Sequence, residues 1–155
     1  MREPSEFTID AFKLRARPLP ADQQLSILTT VSPLLAAGIA EIVPVYMSFR
    51  QEGISSLADV PMARMLGLIT PVARELSKMP KGEMWGVIGE CLGCVDVFKA
   101  NSWTPIWNAT ASRPQFNEFD DNLFLVLRIA FSVFEVSFAG FFPGSQSNSS
   151  SEPRA

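Results

Sequence analysis

Cys91 and Cys94 form a C-x-x-C, and the chain holds no histidine. Without histidine there is no Ser-His-Asp or Cys-His nucleophile and no imidazole ligand for a metal. A structural zinc needs about four ligands, and the two cysteines supply half of them. A thioredoxin-like pair should follow a strand and open a helix, where the helix dipole lowers a thiol pKa. Here the pair falls inside an apparently helical run, MWGVIGECLGCVDVFKA, with no strand pattern before it. The two thiols therefore read as small, semi-apolar helix positions in a reducing compartment. No catalytic residue, metal site or cofactor is expected. An enzyme of unrecognised type would have only Cys91 and Cys94 to work with.

The elements around that pair are mostly helical. With 155 residues and 47% hydrophobic composition, the chain suits one domain with a real core. The expected division is a single helical domain over 1–142 and a disordered, serine-rich tail over 143–155. The net charge is −3 and the cations are scattered, so no basic stripe is available for nucleic acid. The opening MREPSEFTID has no apolar h-region, which argues against a signal peptide and for a cytosolic protein.

Glu6 to Arg17 alternates, but its apolar parity switches between Ala11 and Phe12. A turn or bulge between two short strands accounts for that. Pro20-Ala21-Asp22 opens a first helix, which Pro33 should kink and Pro44 should break. A second helix runs from about Ser56 to Ser77, with Pro61 suited to its first turn and Pro71 inside it. A third spans Glu83 to Ala100, with Gly86, Gly89 and Gly93 lowering its propensity. Close packing against a neighbouring helix would explain those glycines. Trp103 to Phe119 reads as a loop or short hairpin. The fold class is thus mainly α, with a short N-terminal extended or β element. The candidate partner for that element is the other alternating stretch, 103–119.

Leu123 to Phe142, LFLVLRIAFSVFEVSFAGFF, is the most apolar run. Phe124, Leu127, Phe131, Phe134, Phe138 and Phe141 recur at helical steps. Arg128, Ser132, Glu135 and Ala139 form a narrow polar edge. At about 1.5 Å per residue the run could span a membrane core. Arg128 and Glu135 oppose that, because each costs a few kcal/mol near a bilayer centre. The expectation is a central core helix, with Phe124 to Phe134 holding the domain together. Its exit, Phe138, Phe141 and Phe142, is expected to offer a surface for a hydrophobic partner. Trp103 and Trp107, which flank Pro105, are the other aromatic candidates for that surface.

The order of these pieces resembles the small tail assembly chaperones of long-tailed bacteriophages and prophages. The resemblance rests on FTIDAFKLRARPLP leading into ADQQLSILTTVSPLLAAG, then WTPIW, FNEFD and the closing FAGFFPG. The first helix carries fewer charges and the last more phenylalanine than the family pattern, so no individual binding residue is carried over. The resemblance implies a non-enzymatic protein that binds hydrophobic helical segments of the tape measure protein and keeps them soluble during tail assembly. The tail tube subunit is the further partner it implies. It places the protein in the host cell cytoplasm and outside the mature virion. No nucleic acid and no membrane enter this reading. A second reading is a small phage or prophage inhibitor that acts on a host protein through the same hydrophobic surface. A structural component of the virion is another.

Overall fold

The computed structural model describes residues 4–138, except the side chains of Leu34, Leu35 and Ala37. The chain opens with a hairpin, β1 (Ser5–Ile9) and β2 (Phe12–Ala16). Ile9 pairs with Phe12 across a two-residue turn. Asp10 in that turn takes a left-handed φ of 54°, a conformation that short polar side chains tolerate. The turn explains the switch in parity. Phe7, Ile9, Phe12, Leu14 and Ala16 all face the core side once the chain has reversed.

The long helix α1 (Ala21–Gln51) contains both Pro33 and Pro44. Its axis turns through 113° between Ala21–Pro33 and Gly38–Gln51, as expected of a proline that lacks its amide donor. Pro44 does not break it. A 3₁₀ turn over Leu57–Asp59 follows, capped by the Ser56 hydroxyl, which accepts from the Ala58 amide. The helix α2 (Met62–Leu76) begins directly after Pro61 and packs along the second half of α1. There the Gly67 backbone meets the Val45 side chain.

The third helix is shorter than its sequence suggests. α3 (Lys81–Leu92) stops before Gly93, and Val95–Lys99 forms the strand β3. Val-Asp-Val-Phe alternates with period two, and β2 supplies the hydrogen-bonding partner that turns a weak helix end into a strand. β4 (Ser102–Pro105) follows through Ala100-Asn101, both left-handed, a turn that matches the strand twist. The sheet order is β1-β2-β3-β4, antiparallel throughout. The N-terminal arm therefore pairs with 95–99 and not with 103–119. The latter contributes only β4 on the far side of β3, then the separate small hairpin β5 (Trp107–Asn108) and β6 (Arg113–Pro114). A single turn, α4 (Asn117–Asp120), leads into α5 (Leu123–Ser137).

α5 is capped by Asn122, whose side-chain oxygen accepts from the Leu125 amide. It turns a different face inward from the one expected. Val126, Ile129 and Val133 are buried, while Phe124 is 45% exposed and Phe131 and Phe134 are half-buried. The polar edge faces inward as well: Arg128 is 6% exposed and Ser132 3%. Arg128 donates to the carbonyls of Val60 (2.8 Å) and Ala58 (3.4 Å) and approaches Asp10 in the first hairpin turn (3.6 Å). Glu135 accepts from the Leu57 amide and the Tyr46 hydroxyl, each at 3.1 Å, with Arg50 at 3.6 Å. The two charges thus clasp the Leu57–Val60 turn from both ends. Among the described residues no single helix is long and apolar enough to cross a membrane. The two limbs of α1 meet those terms only as a bent pair.

Burial raises the Glu135 pKa from 4.5, outweighing the Leu57, Tyr46 and Arg50 contacts that favour the anion. The folded protein then takes up a proton more readily than the unfolded chain, so this contribution is full below about pH 4.5 and is lost as pH rises through the raised value. Glu135→Gln removes that titration. Chemical denaturation across pH should show the wild-type curve falling relative to the variant's as pH rises through this window.

Candidate partner-binding cleft

α3 carries Gly82, Gly86 and Gly89 at steps of four and three, with Gly93 just past its end, which places them along one helix face. Gly89 is held closed by an aromatic ring. A Cβ there would lie 2.6 Å from Cζ2 of Trp107, so only glycine lets the indole lie flat on the helix. Trp107 in turn packs at 5.6 Å on Trp85, whose Nε1 donates to the Ser112 carbonyl at 2.8 Å. Gly82 and Gly86 meet nothing; a Cβ at either would point into open space.

That space is a cleft of about 1020 Å³. Its floor is the glycine face, and Trp85 and Trp107 close one end. The opposite wall is the Pro18–Pro20 strap and the first turns of α1, with Gln23 and Gln24. A second, smaller cavity of about 390 Å³ lies along the same two helices, between Ser26, Thr29 and Thr30 of α1 and Glu83, Val87 and Glu90 of α3. The strap is anchored from inside. The Leu19 amide donates to Ser137 Oγ at the end of α5 (2.9 Å), and the Leu19 carbonyl accepts from Gln24 (2.7 Å).

Cys94 lines the cleft and Cys91 lies in the last turn of α3. Both thiols are free and buried. Burial pushes Cys91 up to about 12, with Cys94 and Glu90 adding to it. Cys94 is also raised by burial, against the pull of Arg17. Neither is a thiolate at neutral pH, so the pair has no nucleophile to offer. The described residues contain no group of three or more metal-ligating side chains.

The aromatic candidates part company. Trp107 lines the cleft. Trp103 lies elsewhere, half-buried on the outer face of the sheet, against Phe98 (5.2 Å) and under the Arg15 guanidinium (4.7 Å). Phe138 is 3% exposed and stacks at 4.5 Å on Phe134, so it is a core ring and not an open surface. Phe141 and Phe142 lie outside the described residues. Trp85 and the exposed Gly82 and Gly86 were not singled out as binding residues by sequence. The glycine spacing was the available signal, but among the described residues no helix occupies the open glycines.

The described residues thus form a small helical protein with a four-stranded sheet and an open, glycine-floored cleft. The chain belongs to the phage tail assembly chaperones: the model of the family "Phage tail assembly chaperone protein, TAC" matches residues 11–150. No curated protein and no solved structure matches the chain.

The glycines give opposite predictions. Gly86→Ala gains helix propensity in open space and should stabilise the fold by roughly 0.5–1 kcal/mol. Gly89→Ala should lower the melting temperature, because the methyl displaces Trp107. The thiols can be checked separately. In native protein Cys91 should resist iodoacetamide at about pH 8 and react only on unfolding.

Proposed function

We propose that this chaperone holds hydrophobic helical segments of the tape measure protein in the α1–α3 cleft, keeping them soluble until tail tube subunits assemble around them. The observation that carries this is the open glycine face of α3 beside the Trp85–Trp107 pair, in a chain of the tail assembly chaperone family. Glycines at positions 82 and 86 let a partner helix approach closely, and the indoles offer rigid apolar area at one end of the cleft. Phe141 and Phe142 follow the end of α5, which is bonded to the strap forming the cleft wall. They extend the partner surface in this reading. Trp103, with its cationic neighbours Lys13 and Arg15, is a separate contact suited to the tail tube subunit. The protein acts in the host cytoplasm and is left out of the finished particle.

Co-expression with the tape measure protein of the same phage should raise that protein's solubility and yield a copurifying complex. An insoluble tape measure, with the chaperone eluting alone, would overturn the proposal. Phe141→Ser combined with Phe142→Ser should reduce copurification while moving the melting temperature by no more than a few degrees.

A further inference from the structure

Glu90 stands at the junction of the two cavities and lines both. Its Oε2 is buried and takes no hydrogen bond from any described residue. A buried carboxylate oxygen normally has a donor, and no cation among the described residues is placed to supply one. Thr29 and Thr30 each donate their hydroxyl proton to the Ser26 carbonyl at 2.9 Å, leaving only acceptor capacity toward the cleft. Glu83 adds a second carboxylate to the smaller cavity. Arg17 is the one cation among the described residues lining either cavity. It is already engaged, with Nη1 on Asp96 at 3.1 Å and Nη2 on the Gly93 carbonyl at 3.3 Å. The cleft therefore has a glycine floor and, beside it, two carboxylates without a free cation among the described residues.

Resting on the function proposed above, we infer that the cleft selects a helix with small residues along its contact face and one lysine or arginine that pairs with Glu90. The open glycines decide how close the partner's backbone can come. At that approach a long cationic side chain reaches past Gly86 to the carboxylate one turn further along α3. Lysine brings three donors and arginine five on a positive charge, which the lining does not otherwise offer to Glu90. A segment that is apolar throughout would cover Glu90 without a donor, which disfavours it. The cleft thus discriminates among hydrophobic segments by charge as well as by shape.

The test uses overlapping peptides of about 25 residues, long enough for several helical turns, taken from the tape measure protein of the same phage. Binding to the full chain is read by fluorescence polarisation. Peptides that bind should carry a lysine or arginine beside small residues, and replacing that cation with glutamate should weaken binding by roughly tenfold or more. Glu90→Gln, nearly isosteric, should weaken the cationic peptide similarly and reduce its dependence on salt. Glu90→Lys should bind the glutamate-substituted peptide better than the original. Unchanged melting temperature and tryptophan emission would exclude a folding defect; if Glu90→Lys does not fold, Glu90→Gln and the peptide substitutions carry the comparison. Wild-type binding that neither Glu90 variant nor peptide charge alters would overturn the inference and leave the proposed function standing. If no peptide binds the wild-type chain, the function proposed above fails, and this inference with it.

Discussion

Arg128 and Glu135 are the charged residues of α5, and neither can be buried as an ion without partners. Both find them in one short piece of backbone. The guanidinium takes the carbonyls of Ala58 and Val60, and the carboxylate takes the amide of Leu57. This turn joins α1 to α2, so fixing it to α5 fixes the packing of both helices. Arg128 reaches on to Asp10 and ties in the first hairpin, while Tyr46 and Arg50 of α1 complete the shell around Glu135. Hydrogen bonds to charged groups contribute about 1.5–3 kcal/mol each, comparable to burying a large apolar side chain. The arrangement also sets the rotation of α5. Holding the charged edge inward leaves the phenylalanine stripe on the flank.

A second buried charge organises the other half of the molecule. Asp96 of β3 is 4% exposed and paired to Arg15 of β2 and to Arg17 just after it. Those pairs and the Arg17 amide bond to the Cys94 carbonyl set where the sheet ends and the Pro18–Pro20 strap begins. From the strap, α1 starts out across the face of α3, and its bend at Pro33 then carries its second half toward α2. The cleft is the space left between these two commitments. Its floor stays open because α3 offers glycine where a packed helix pair would offer larger side chains. Gly89 alone is covered, by an indole that no other residue at that position would admit.

Much of this was legible in the amino-acid order. The parity switch at Ala11–Phe12 marked the hairpin turn. Pro20-Ala21-Asp22 and Pro61 marked helix starts. The lack of histidine removed most nucleophilic and metal chemistry before any coordinate was known. These signals are local: a cap, a proline ring or a turn acts within about four residues. Other readings failed where the deciding contact was distant. Val95–Lys99 looked like the end of a helix because its strand partner, β2, lies about eighty residues earlier in the chain. Arg128 and Ser132 read only as part of a narrow polar edge, with no partner indicated, because the turn that receives Arg128 lies far back in the sequence.

By itself, then, the sequence determined the mainly helical composition, the element starts and the absence of histidine chemistry, because each follows from residue type or short-range hydrogen bonding. It determined the glycine spacing too, but not its meaning. Only the tertiary structure decided that 95–99 is the central link of the sheet, that α5 turns its charges inward, and that Gly82 and Gly86 open onto space while Gly89 lies under Trp107. Each of these depends on which distant group satisfies a backbone or a charge once the chain is closed on itself, and periodicity along the chain carries no record of that.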